Sequence, residues 1–528
     1  MLLCVRVTHR IFLLFSLLFL LLTSREPPWA DAHVTYDTTQ RLVDDQVLNV
    51  KLTAGPPWFY AIREGRRYGV FPLGNVIAMI PSYLTFKLVH KLPKIPERPI
   101  FALASHVSPT LLMAGACTLL YVLLRRRRTS PGWALGGTFI GGFATMMFVY
   151  ARAPYSEALQ TLALLWLVER TLAQAESPTV GGLGWLGLAA GILCNAKLVY
   201  VLILPICIGY LLWQQRGQIR SLLLRSLVGV AAFVELMMVA VWHNRLKTGS
   251  YFDSGYQIKE GIFSGDLVAG VYGFFLSSGK SVFLYAPVVI LGVLGAATAF
   301  RRRRAETVFL VSLSAMVVLF NAKFRHWHAD YCWGPRHLVA LMPISILLMF
   351  PWLPEALQRG RQRIRRWAVG FLVAGGIAVQ LLGSSFYWDH YIRALIAVKD
   401  QTGAPGWFQE NLTHGHYIPS FSPIAGQWWM LKHYVTQTPD LARDAPWRNE
   451  RIAPADLTEA WNRLRIDWWG LDWIDIEGKP DPYFLSLLVL LVGGSILSGI
   501  GLRAALRRAR AISALETPAA EALSPPAT

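Results

Sequence analysis

Charge is scarce in this chain. Only 16% of its 528 residues are Asp, Glu, Lys or Arg, against about 25% in an ordinary soluble domain. That is too little to cover a water-facing surface of this size. Metal-type cysteine spacing is also missing: Cys4, Cys117, Cys194, Cys207 and Cys332 are scattered, four of them in or at the edge of apolar segments. Neither a disulfide framework nor a zinc site follows from them. Residues 1–260 and 261–528 do not match each other as halves, and no clear internal repeat is present, as the inverted repeats of many secondary transporters would require.

What the chain has instead is apolar length. Hydrophobic residues make up 54% of it and the mean hydropathy is +0.38. Runs near the roughly 20 residues that cross a bilayer recur from end to end. They fall at about 5–22, 101–124, 132–150, 157–171, 182–196, 198–213, 221–242, 281–300, 306–321, 337–352, 367–385 and 484–502. The expected fold is therefore an all-α integral membrane protein of about twelve transmembrane helices. The first run follows Arg6 and Arg10 and is compatible with a signal peptide, with Thr23 and Ser24 as a weak cleavage region. The lack of a clean small-x-small site favours a first transmembrane helix.

The net charge of +19 is concentrated in arginine runs at the ends of apolar segments, where membrane topology rather than nucleic-acid binding explains it. With twelve spans, Arg6 and Arg10, Arg125 to Arg128, Arg216 to Arg225, Arg301 to Arg304, Arg359 to Arg366 and Arg503 to Arg510 all fall on one side. That side is cytoplasmic and holds both termini. The other side, periplasmic or exterior, receives the segments 23–100, 151–156, 243–280, 322–336 and 386–483. Within the first of them, Phe71 to Val89 is apolar but broken by Pro72, Gly74 and Pro81, and reads as a re-entrant or interfacial helix. Residues 1–385 are thus expected to form the main membrane region with its first outer loop at 23–100. Residues 386–483 form a small tryptophan-rich outer cap, 484–502 the last span, and 503–528 a cytoplasmic tail, basic and then disordered from Ser513.

Positive charge on the outer side runs against the topology rule. Lys323, Arg325 and Arg336 share one outer loop, and Arg245, Lys247, Lys259 and Lys280 another. Singly they read as solvated loop charges or contacts to lipid headgroups; together they suit an anion such as a lipid phosphate. Two acids stand at outer ends of apolar segments, Asp37 in Thr35-Tyr36-Asp37-Thr38 and Glu157 after Ala153-Pro154-Tyr155-Ser156. A carboxylate there can accept a proton from an attacking hydroxyl while cations stabilise a departing phosphate, or can cap a helix start. Lys197, beside Asn195, either faces that cavity or snorkels to the interface. His326-x-His328-x-Asp330 has the look of a metal-ligand run, with hydrogen bonding and packing as the plainer reading. Asn411-Leu412-Thr413 fits a glycosylation acceptor only in a eukaryotic secretory setting.

Five elements, taken in order, resemble bacterial GT-C glycosyltransferases, the multi-pass relatives of protein mannosyltransferases and aminoarabinose transferases. They are an Asp in the first outer loop, Tyr68-Gly69-Val70-Phe71-Pro72-Leu73-Gly74 running into Pro81, Tyr155-Ser156-Glu157, Ser277 to Pro287 around Lys280, and Trp333-Gly334-Pro335-Arg336-His337-Leu338. The resemblance covers residues 1 to about 350. It implies an inverting transfer, hexosyl or pentosyl, from a polyprenyl-phosphate-linked sugar to a lipid, glycan or protein acceptor at the outer face of the inner membrane. It implies Asp37 as general base, Glu157 as a second active-site acid, and Lys280 and Arg336 near the carrier phosphate. Lys197, Arg325, His337 and Tyr155 are expected as further substrate contacts. Membrane lipids are the other partners, and neither a cofactor nor a metal is expected. Many relatives carry an adjacent acidic pair in the first loop, whereas Thr38 follows Asp37, so Asp44 and Asp45 stay open as the base. A polysaccharide ligase or polymerase and a multi-pass transporter of lipid-linked or small anionic substrates are the competing classes.

Overall fold

The computed structural model describes residues 2–51, 57–92, 97–256, 261–329, 332–358, 363–392, 415–437, 464–474 and 481–522, with backbone alone at 2–5, 358, 474 and 509–522. Lys259, Asp330, Asn411 and most of the expected outer cap lie outside these residues.

Besides the short helices Leu353–Gln358 and Leu471–Ile474, the helices in chain order are α1 (Leu2–Leu21), α2 (Asp31–Asp45), α3 (Leu73–Ala78), α4 (Ile80–Val89), α5 (Glu97–Ser105), α6 (Val107–Arg126), α7 (Pro131–Phe143), α8 (Met147–Ala151), α9 (Glu157–Glu176) and α10 (Val180–Ala196). Then come α11 (Leu204–Gln214), α12 (Ile219–Thr248), α13 (Leu267–Leu276), α14 (Val282–Tyr285), α15 (Val289–Arg302), α16 (Arg304–Lys323), α17 (Met342–Met349), α18 (Arg363–Gly383), α19 (Pro423–Thr436) and α20 (Pro482–Ala522). Every expected apolar run is helical in whole or main part. Among the described residues, Glu97–Arg126, Arg216–Thr248, Arg304–Lys323, Arg363–Gly383 and Pro482–Arg508 are long and apolar enough to cross a bilayer by themselves. Leu223, Leu224 and Leu227 of α12 and Val489, Leu490 and Leu497 of α20 point outward, more than half exposed. Such apolar outer faces are what a helix surrounded by lipid presents.

Three features depart from the sequence expectations. Tyr60–Arg63 (β1) and Arg66–Gly69 (β2) pair antiparallel, so the fold is not wholly helical. The turn between them, Glu64-Gly65, has φ of 52° and 72°, the pattern of a two-residue hairpin loop. Polar α2 escapes any search for apolar runs, because its apolar residues are interspersed with Thr, Asp and Gln. Finally, α20 does not stop near residue 502 but runs on to Ala522, through Ala-, Leu-, Arg- and Glu-rich sequence of high helix propensity.

The arginine runs at 125–128 and 301–304 lie at one end of the bundle. Arg126 pairs with Glu176 at 2.6 Å and Glu169 at 3.4 Å, Arg127 donates to Glu306 and to the Leu347 carbonyl, and Arg302 meets Glu355. Because α9 has 20 residues, its Glu176 end lies about 30 Å from its Glu157 end. Single cysteines at positions 128 and 302 in a cysteine-free background should react only after the membrane is permeabilised. Cysteines at 64 and 266, both exposed, should react in intact cells, and external labelling at 302 would put the two ends on the wrong sides.

Candidate active site

Glu157 opens α9 at the end of the bundle opposite the arginine runs, and the site is built around it. Its position follows from Pro154, which ends the preceding turn so that Tyr155-Ser156-Glu157 start a new helix. Across from it stands Arg336, at the entrance of the 3-10 turn Arg336–Leu341. The loop leading to Arg336 turns at Gly334, where φ is +61° and a Cβ would press into the Tyr285 ring at 2.7 Å. Only glycine fits there without strain, which accounts for the Trp-Gly-Pro-Arg order.

Arg336 joins two carboxylates. Its Nη2 donates to Asp31 Oδ2 at 2.7 Å, and its Nε lies 3.3 Å from Glu157 Oε1 without the alignment of a hydrogen bond. The guanidinium lies over the Tyr155 ring, 4.9 Å from its centroid, a cation–π contact. Deeper in, Lys197 Nζ meets Asn321 Oδ1 at 2.9 Å and His337 Nδ1 at 3.2 Å. Glu157, Arg336, Lys197, His337 and Tyr155, from three separate stretches of the chain, are thus brought to one place.

The first outer loop is docked on this end of the bundle. Asn75 Nδ2 donates to the Ala196 carbonyl at 3.0 Å, and a Cβ on Gly74 would strike the Asn195 carbonyl at 2.6 Å. Gly74 is therefore needed for close approach of α3 to the end of α10, next to Lys197. Asn195 itself spends its amide on the Gly191 and Leu236 carbonyls.

Asp37 is not part of the cluster. It follows Asp31 by six residues on α2, about 240° further round the helix, and its Oδ2 accepts the Lys51 backbone N–H at 3.0 Å. Asp44 is bound to Lys87 at 2.7 Å and to the Tyr83 hydroxyl. Burial works to raise its carboxyl, but those two partners hold it below the ordinary value. Asp45 pairs with Arg41. Lys280 is buried and directs its ammonium at the Cys332 and Gly334 carbonyls, both at 3.3 Å, bracing the loop that presents Arg336. Arg325 is exposed on the loop after α16, its N–H bonded to the Ile262 carbonyl. Sequence reasoning missed Asp31 and Asn321. The available signal for Asp31 was its place right after Pro27-Pro28-Trp29-Ala30, where α2 begins, and one acid in the first helical turn is ordinarily read as dipole complement.

Beside the cluster lies a small cavity lined by Asp31, Tyr155 and Ser156 and by apolar Phe71, Met79 and Leu112. Glu157 Oε2 and the Tyr155 hydroxyl are buried without a hydrogen-bond partner. Among the described residues no group of three or more metal-ligating side chains is found.

No family model and no curated protein matches the sequence. Among solved structures the chain is similar to that of ArnT from Cupriavidus metallidurans bound to undecaprenyl phosphate, at 14% identity and a TM-score of 0.43 over 94% of this chain and 77% of that one. The apo state of the same protein gives 14% identity and a TM-score of 0.44 over 92% and 76%.

Proposed function

We propose that this chain is an inverting membrane glycosyltransferase of the GT-C type, moving a sugar from a polyprenyl-phosphate carrier to a lipid, glycan or protein acceptor at the outer face of the cytoplasmic membrane. One observation carries it: Asp31 and Glu157 are held on either side of Arg336 at the outer helix ends, beside a half-apolar cavity, with Glu157 Oε2 and the Tyr155 hydroxyl unpartnered. Buried polar groups in native proteins are nearly always satisfied, so the orphan Tyr155 hydroxyl on the cavity wall, with the orphan Glu157 oxygen two residues on, supports a ligand bound there.

In the proposed step the acceptor oxygen attacks the anomeric carbon and its proton passes to the Asp31 carboxylate. The bond from that carbon to the phosphate oxygen breaks, and the bonding pair leaves with the polyprenyl phosphate. Arg336 and Lys197 stabilise the charge gathering on the phosphate, as preorganised cations do where charge develops. Glu157 holds Arg336 in place. The apolar wall of the cavity accommodates the prenyl chain. The base is thereby reassigned from Asp37 to Asp31, and Lys280 becomes a brace for the Arg336 loop. No cofactor or metal enters the scheme.

The test is direct. Membranes from cells expressing the chain, and from cells lacking it, are given radiolabelled polyprenyl-phosphate sugars, and the labelled product is identified. Transfer that depends on the chain is the expected result, and no transfer from any lipid-linked donor removes the proposal.

A further inference from the structure

Of the long apolar helices, α12 is the least covered by the rest of the protein, with 11% of its apolar stretch buried. One face does pack inward. Gly229 lies so close to α10 that an added Cβ would strike the Leu183 carbonyl at 2.4 Å, and the Leu236 carbonyl accepts the Asn195 amide. The face turned away from α10 carries Glu235, which is exposed. Between Arg225 and Arg245 no other residue is Asp, Glu, Lys or Arg. Glu235 is ten residues from each of them, about 15 Å along the axis, which is the middle of a hydrocarbon layer roughly 30 Å thick. Both arginines are fixed at their levels: Arg225 donates to the Pro178 carbonyl at one end, and the Arg245 carbonyl accepts from Arg63 of the outer hairpin at the other.

Glu235 stands in a row. Leu224, Val228, Ala231, Glu235, Met238 and Trp242 are all exposed and follow one another at alternating steps of four and three residues. That spacing, 3.5 residues on average, is the seam of two helices wound about each other, and it gathers the six on a strip about 80° wide. Helix α20 is nearly as bare, with 17% of its apolar stretch buried, but it has no charge between Pro482 and Leu502, and lipid alone suits such a surface. A carboxyl at mid-depth is another matter. Its side chain is too short to reach either interface, and acids in that layer are ordinarily turned inward and paired.

We infer that this strip is the contact face of a homodimer, in which α12 packs in parallel against α12 of a second copy about a two-fold axis along the membrane normal. Two-fold pairing is the commonest symmetry of protein oligomers, and here it brings the two Glu235 side chains face to face at one depth. Two facing carboxyls satisfy each other through a shared proton, the protonated one donating and the ionised one accepting. Approach by another bare helix of the second copy would not serve. Neither α18 beyond Arg366 nor α20 before Arg503 holds a charged residue, so either would bury Glu235 against carbon. The contact lies on the far side of α12 from α10 and Lys197, and the inference is independent of the proposed reaction.

The test is the oligomeric state of the full chain in lipid vesicles at high dilution, read by counting photobleaching steps of a single fluorophore attached to each chain. Wild type should bleach mainly in two steps. Glu235→Leu makes the surface more apolar and so spares the fold, and it should weaken dimerisation about five- to thirtyfold, the range of an interhelical hydrogen bond in a membrane. Glu235→Gln, whose amide both donates and accepts, should keep the two-step pattern. In a cysteine-free background, Met238→Cys should form a disulfide-linked dimer on oxidation. Val230→Cys, also exposed but about 120° round the helix from the strip, should not. Single steps from wild type would leave lipid or a different protein on the strip and overturn the inference. So would two-step bleaching that Glu235→Leu leaves unchanged, or a dimer that cross-links through position 230 and not 238.

Discussion

Asp31→Asn is expected to abolish nearly all transfer from a polyprenyl-phosphate sugar while leaving the protein folded. An asparagine keeps an oxygen for the Arg336 Nη2 that now sits 2.7 Å from Asp31, so position and packing survive. What goes is the ability to take a proton from the acceptor hydroxyl, and a well-placed general base contributes on the order of a hundred- to ten-thousandfold. Asp37→Asn serves as its control. That residue holds the Lys51 N–H through a single oxygen, which the amide can still provide, so turnover should change by no more than a few-fold. Rates of the two variants, measured on protein of unchanged elution profile, decide between them. A dead Asp37→Asn beside an active Asp31→Asn would return the base to Asp37, and two active variants would sink the proposed chemistry.

Arg336→Lys should cost about ten- to hundredfold in turnover. A charge-assisted hydrogen bond is worth about 1.5 to 3 kcal/mol, and a lysine cannot reproduce the planar fork that faces Asp31 and Glu157 at once while stacking on Tyr155. Lysine is the informative substitution because it retains the charge. Arg336→Ala would leave two partly or fully buried carboxylates without their common partner, a loss on the order of 3 to 5 kcal/mol that threatens the fold as well as the reaction. If Arg336→Lys turns over at the wild-type rate, a point charge is sufficient and the fork geometry is incidental.

Much of this arrangement can be read from the sequence, because the strongest signals are physical ones. Apolar runs mark helices wherever lipid or protein surrounds them, and the arginine runs of α6 and α15 announce the end where Arg127 meets Glu306 and Arg302 meets Glu355. The Tyr155-Ser156-Glu157 and Trp333-Gly334-Pro335-Arg336 elements meet in the structure, since each is tied to a turn that presents its charge. The first acid is a different matter. Both Asp31 and Asp37 lie on α2, a helix of mixed polarity with no apolar stripe to give its orientation, and only packing against α3, α4 and the hairpin determines which carboxylate meets Arg336. Lys280 was out of reach for a similar reason: nothing local reveals that the carbonyls of Cys332 and Gly334 curl around its ammonium. The same blindness to long-range pairing hides Asp467, whose partners Ser24 and Arg152 are more than 300 residues away.

The packing of α20 along α1 has a temporal side. Leu17 of α1 lies against the space of Gly494, and Arg10 against that of Gly501, so the flank of the earliest helix is covered by the latest. A ribosome adding roughly 5 to 20 residues per second needs about 25 to 90 s between the end of α1 and the start of α20. Through that interval the flank of α1 faces lipid or a borrowed partner in the insertion machinery. The Asp467 contacts to Ser24 and Arg152 cannot form until nearly the same stage, so the corner of the molecule they join would be among the last to mature.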